Sequence, residues 1–143
     1  MINKSVVLGC SPEEAFALFT ERISEWWPVD RRHTSDPESQ LFLAKSGRFW
    51  ERGRDGREVE LGQVRDWEAP HRLVLSFYVG TDTDHPTEVE VRFTPEAHGT
   101  RVAVTHRATP LSSELWNARA PRFERSWEVV LAALAAAVTT AHP

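Results

Sequence analysis

Two stretches of the chain alternate apolar and polar residues with period two: Thr87-Glu88-Val89-Glu90-Val91-Arg92-Phe93 and Gly99-Thr100-Arg101-Val102-Ala103-Val104-Thr105-His106. Turn formers between Pro95 and Gly99 separate them, so the pattern predicts an antiparallel hairpin half buried on one face. Val89, Val91 and Phe93 share one side of the first strand, and Val102, Val104 and His106 share one side of the second. An imidazole thus takes the last place in an apolar row, aimed at the core or at a cavity.

The remaining pattern supplies the other elements. Residues 3–9 read as a first strand. Ser11-Pro12-Glu13-Glu14 then offers an N-cap, a proline at the first helical position and a carboxylate spaced for a capping box. Ala15, Phe16, Phe19 and Ile23 recur at helical spacing until Trp26-Trp27-Pro28, which predicts one helix, or two short ones with a bend near Thr20 to Ser24. Residues 29–40 lack periodicity and read as a surface loop, a candidate lid. Short strands are expected at 41–44 and 47–52, then a turn at Asp55-Gly56 and a longer strand over 59–67. Leu73, Leu75, Phe77 and Val79 alternate on one face of the next strand. Pro121 opens a segment in which Phe123, Trp127, Val130, Leu131, Leu134 and Val138 fall on one helical face, predicting a long helix over 121–139.

The fold class expected is α+β: an antiparallel curved sheet of six or seven strands covered by one long C-terminal helix, with one or two short helices after the first strand. The 143 residues fit a single domain, 1–143, with six Trp and seven Phe supplying unusual aromatic bulk. Net charge is −4, and the 17 basic residues are interleaved with 21 acidic ones, which argues against nucleic acid as a partner. Cys10 is the single cysteine and reads as a small buried residue, suited to a reducing compartment. No long apolar run follows Met1, so a cytoplasmic protein is expected, and the run over 129–138 is too short to span a bilayer. The six histidines, at 33, 71, 85, 98, 106 and 142, show no paired spacing, and no phosphate-binding glycine loop is present. Neither a metal nor a cofactor is expected.

The order of elements is that of the helix-grip fold, and the residues resemble the START/polyketide-cyclase/pollen-allergen-like superfamily (SRPBCC). The likeness is greatest to bacterial domains similar to the activator of heat-shock-protein-90 ATPase. It is carried by Ser11-Pro12-Glu13-Glu14-Ala15-Phe16, Trp26-Trp27-Pro28, Gly47-Arg48-Phe49, Asp55-Gly56 and Gly62-Gln63-Val64. It continues through Pro70-His71-Arg72-Leu73, Glu88 to Phe93, Gly99-Thr100-Arg101-Val102, His106 and Trp127, and so runs over 6–134. Ser46 departs from the pattern, standing where relatives often have a second glycine. The resemblance implies a curved sheet wrapped around the long helix and a cavity for lipids, sterols, polyketides or other apolar molecules. It selects no single chemistry, because the superfamily includes carriers, cyclases and a co-chaperone domain. The eukaryotic co-chaperone also uses an additional N-terminal domain, so weak stimulation of a chaperone ATPase at most is expected from this chain.

Candidate ligand contacts follow from pattern and resemblance together. His106 is the leading polar group, able to hydrogen-bond a guest or to act as acid or base; the alternative is a satisfied histidine near the sheet end. Trp26 and Trp27 stand where relatives rim the cavity mouth. Trp50, Trp67, Phe77 and Phe93 from the sheet, with Phe123 and Trp127 from the helix, could complete an aromatic box or simply form core. Arg48 belongs to a charged hairpin tip, or holds a ligand carboxylate if it points inward with Trp50. Glu88 and Glu90 are expected outside, pairing with Arg101 and Arg107. The first reading is a binding domain for an apolar or aromatic small molecule, monomeric or homodimeric. The alternatives are a cyclase or hydratase using the same cavity, and a co-chaperone module acting on a chaperone ATPase.

Overall fold

The period-two segments become one seven-stranded sheet, antiparallel at every pairing. In the computed structural model the backbone is described for residues 1–141 and the side chains through residue 138; His142 lies outside the described residues. The strands are β1 (Ile2–Leu8), β2 (Gln40–Leu43), β3 (Arg48–Arg52), β4 (Glu58–Glu68), β5 (Arg72–Phe77), β6 (Thr87–Glu96) and β7 (Gly99–Arg107). Their order across the sheet is β1-β7-β6-β5-β4-β3-β2, so β2 to β7 form a meander and β1 joins its far edge. Register shifts between Phe49 and Trp50 and between Val64 and Asp66 bend the middle strands, helping the sheet curl. The long helix α2 (Ser113–Ala141) fills the concave side.

Helix α1 (Pro12–Phe19) starts as its sequence dictates. Pro12 takes the first turn and Ser11 Oγ accepts from the Glu14 backbone N–H at 3.2 Å. It stops at Thr20, whose hydroxyl bonds back to the Phe16 carbonyl at 2.7 Å, and a short 3-10 turn, Ile23–Glu25, follows. A second 3-10 turn, Val29–Arg31, lies within the loop expected over 29–40.

The inner face of the sheet carries Leu73, Leu75, Phe77, Val89, Val91, Phe93, Val102, Val104 and His106, all buried. Phe123, Trp127, Val130, Leu131, Leu134 and Val138 of α2 are buried as well and belong to the same core. One boundary expectation fails: α2 begins at Ser113, about two turns before Pro121, which sits inside the helix. Proline removes one backbone hydrogen bond there. The extra turns hold because Trp116 packs on Phe123 with ring centroids 5.7 Å apart, and on His106 at 5.3 Å. On the outer face Arg107 pairs with Glu88 at 2.5 Å, as expected. Arg101 instead pairs with Glu96 at 2.6 Å, and Arg72 holds Glu90 at 2.5 Å.

Candidate functional site

His106 does face inward, and it is fully buried. The Trp127 indole Nε1–H donates to its Nδ1 at 3.0 Å, and its Nε2 lies 2.7 Å from Thr87 Oγ1. An indole nitrogen can only donate, so Nδ1 is the accepting nitrogen and the ring proton sits on Nε2, donating to Thr87. The Thr87 hydroxyl then donates to the Phe77 carbonyl at 3.3 Å. Phe77, Trp116, Phe123 and Trp127 surround the ring at centroid distances of 4.4–6.1 Å. Burial, and secondarily the positive N-terminus, push the imidazole pKa down to about 3, so the ring is neutral across the physiological range. Both nitrogens are occupied by protein groups. This imidazole is a joint between sheet and helix, with no free nitrogen to offer a guest.

A narrow crevice opens above that joint, lined by Trp27, Phe77, Val79, Phe123, Trp127 and Val130 and measuring about 30 Å³. That is room for about one water molecule. The rings expected to wall a cavity instead pack against one another, with Phe77 and Trp127 stacked at 5.8 Å. Space lies outside them. A cleft of about 510 Å³ shares Arg31, Val79, Phe123 and Ser126 with the crevice and is otherwise lined by Asp30, Arg32, His33, Gly80, Arg119, Arg122 and Arg125. This volume falls in the range of small-molecule sites. Gly80 makes the approach possible. Its φ is +79°, and a Cβ there would come within 2.5 Å of the Phe123 ring.

The loop forming one wall of the cleft is tied down from inside. Glu51 of β3 is fully buried, and its carboxylate accepts from the His33 N–H at 2.8 Å, the Thr34 N–H at 2.9 Å and the Thr34 hydroxyl at 2.7 Å. Burial alone would raise its pKa, yet these hydrogen bonds together hold it below the usual range, so it stays ionised. Arg32 donates to the carbonyls of Ser24 at 2.9 Å, Trp27 at 3.0 Å and Ser39, crossing the loop from within. Arg31 reaches across to α2, where its Nε–H donates to Ser126 Oγ at 3.1 Å.

The ten residues singled out by sequence fall into three places. Trp27, Phe77, Phe123 and Trp127 meet at the crevice with His106 beneath them. Phe93 and Trp67 pack on Phe16 of α1, each at 5.1 Å, while Trp26 packs on Phe19 at 5.6 Å and donates to the Leu18 carbonyl at 2.7 Å. These three rings lie in the α1 side of the core. Arg48 and Trp50 point outward, correcting the option of an inward pair. Phe49 and Glu51 occupy the inner positions of β3, and Arg48 lies over the Trp50 ring at 4.2 Å while pairing with Glu58 and Glu60.

Sequence reasoning missed Trp116, Glu51 and the arginines of the cleft. Arg119, Arg122 and Ser126 are spaced along one side of the apolar helical stripe, a signal visible once the helix is extended before Pro121. Among the described residues no cluster of three or more His, Cys, Asp or Glu side chains could hold a metal ion. No described helix is long and apolar enough to cross a membrane.

Comparison with known proteins agrees with this architecture. Residues 9–139 match the family described as Activator of Hsp90 ATPase homolog 1-like protein. The fold is similar to that of CalC from Micromonospora echinospora, a self-sacrificing resistance protein, at 26% identity and a TM-score of 0.70 over 96% of this chain and 92% of that one. A protein of Rhodobacter sphaeroides aligns at 20% identity and a TM-score of 0.70, covering 98% and 92% of the two chains. MLL2253 from Mesorhizobium loti aligns at 15% identity and a TM-score of 0.66 over 99% and 98%. The last two likenesses concern the fold alone. No curated protein matches the sequence.

Proposed function

The chain belongs to the Activator of Hsp90 ATPase homolog 1-like protein family, and from that premise we propose that it is a binding domain for an apolar or aromatic small molecule, held where the cleft meets the aromatic crevice. The observation that carries the proposal is the continuity of the two spaces. An open cleft of about 510 Å³ narrows onto the rings of Phe123 and Trp127, so a planar guest has a surface to stack on and a polar exit behind it. Entry of a whole ring into the crevice requires Phe123 or the Val29–Arg31 turn to shift. An acid–base enzyme is disfavoured because His106, its leading candidate, is neutral and has both nitrogens engaged.

The test is an NMR titration with a neutral aromatic probe, 2-naphthalenemethanol, read at the tryptophan indole N–H signals. Trp27 and Trp127 should shift with saturation, while Trp26 and Trp67 stay in place. Shifts confined to Trp50 or Trp67, or none at all, would overturn the site. Family membership also makes a chaperone ATPase an alternative partner. Strong, saturable stimulation of that ATPase by this chain would favour it over the small-molecule reading.

A further inference from the structure

Resting on the reading of the crevice as a ligand site, we infer that the cleft selects guests carrying a negative group, an aromatic or apolar acid whose ring meets Phe123 and Trp127 while its anion meets arginine. The cleft is lined by Arg31, Arg32, Arg119, Arg122 and Arg125, against a single acidic side chain, Asp30, which meets Arg31 at 3.4 Å. Arg32 is engaged by backbone carbonyls, and Arg119, Arg122 and Arg125 are left facing no acid among the described residues. Such a concentration of positive charge is unexpected in a chain of net charge −4. A cleft lined by one sign of charge focuses its field and raises the local concentration of counter-charged molecules.

Several arginines elsewhere in this protein are neutralised. On the outer sheet face Arg48, Arg72, Arg92, Arg101 and Arg107 each meet a glutamate or aspartate within ion-pair distance. Among the described residues Arg119, Arg122 and Arg125 form no ion pair, and the buried Nε of Arg119 has no hydrogen-bond partner. Glu124 and Glu128, which share that stretch of α2, lie toward Lys4 of β1; Glu128 bonds Lys4 at 2.9 Å. A buried donor without an acceptor is rare in a folded protein, and an arriving anion would satisfy it.

The same walls serve both halves of the guest. Arg31 and Ser126, joined at 3.1 Å, border cleft and crevice alike, as does Phe123. An acid bound to Arg119 and Arg122 therefore has its ring delivered to Phe123. The arginine fork can take a carboxylate or a phosphate by two parallel hydrogen bonds, and both belong to the chemistry recognised here.

Calorimetric titration with three probes sharing one ring, 2-naphthalenemethanol, 2-naphthoate and 2-naphthyl phosphate, tests the inference. Binding of at least one anion should exceed that of the alcohol by about tenfold or more, equal to about 1.4 kcal/mol. The advantage should shrink as salt is raised. Comparing the two anions identifies the preferred acid. The Arg119→Gln/Arg122→Gln double variant should lose the advantage while still binding the alcohol as before, whereas Arg92→Gln, on the outer face, should keep it. Circular dichroism confirms that the variants are folded. Equal binding of all three probes would overturn the charge inference and leave the aromatic site standing. Failure of every probe to bind would overturn both.

Discussion

The outer face of the sheet and the cleft beside α2 use the same residue, arginine, to opposite ends. Outside, Arg48, Arg72, Arg101 and Arg107 lie across strands from carboxylates and are neutralised pair by pair. Exposed pairs of this kind are worth about 0–1 kcal/mol each. In the cleft Arg119, Arg122 and Arg125 carry no ion pair among the described residues, the one acid Arg31 meets is Asp30, and Arg32 is engaged by backbone carbonyls, so the wall is held by a few buried polar contacts instead. The lesson is that the number of ion pairs locates neither stability nor function in this protein. Removing an outer ion pair should cost little, and removing one of the buried contacts behind the cleft should cost more.

The largest effect is expected at Trp127. Its ring is buried, stacks on Phe77 and donates to His106. Trp127→Ala should lower stability by about 3–5 kcal/mol in urea unfolding. It also strands the Nδ1 of His106. A loss below about 1 kcal/mol, no more than an outer ion pair, would erase the contrast between the two regions.

Glu51 comes next. Glu51→Gln keeps the shape but replaces an acceptor of backbone N–H groups with an amide whose NH₂ confronts them. A loss of about 2–4 kcal/mol is expected, together with faster hydrogen exchange at His33 and Thr34, its backbone donors. Unchanged exchange at those two amides would show that the loop is not held from inside.

His106 provides a pH-dependent test of the same interior. Its folded pKa, about 3, lies below the unfolded value near 6.5, so the unfolded chain binds more protons between them. Its contribution to stability is therefore fully present above about pH 6.5 and is lost as pH falls toward 3, by up to about 1.4 kcal/mol per pH unit. His106→Gln should be less stable at neutral pH yet lose less on acidification from pH 6.5 to 4. Parallel slopes for the two proteins in denaturant melts would exclude a neutral buried imidazole.

These interior contacts mark the boundary of what the sequence discloses. Strand alternation was sufficient to orient Val89, Phe93, Val104 and His106, because a half-buried strand has only two faces. It did not reveal that His106 would be saturated, since Thr87 and Trp127 come from different elements 19 and 21 residues away. In β3 the alternation left two choices open, a charged tip or an inward Arg48 and Trp50, and the structure has the charged tip. Burying Glu51 instead of Trp50 is intelligible only when the loop's N–H groups arrive to bind it. Pro121 misled for a local reason: proline is preferred in the first helical turn, but here aromatic packing by Trp116 carries the helix past it. That shortened helix put Arg119 outside the periodic stripe and kept the cleft from view.

The smallest effect separates the two regions by sign. Arg119, Arg122 and Arg125 follow one another at spacings of three on α2, and like charges so placed repel by about 0.2–0.5 kcal/mol per pair. Glutamine matches arginine closely in helix propensity, so Arg122→Gln isolates the charge. It should leave stability unchanged or raise it by a few tenths of a kcal/mol at low salt. Arg107→Gln removes the partner of Glu88 across β6 and β7 and should lower stability by up to about 1 kcal/mol under the same conditions. Both differences should fade as salt is raised. Precise urea melts of the two variants at low and high salt decide the matter. If Arg122→Gln proves the more destabilising, the cleft arginine has a structural partner in solution, and its charge is no longer free for a guest.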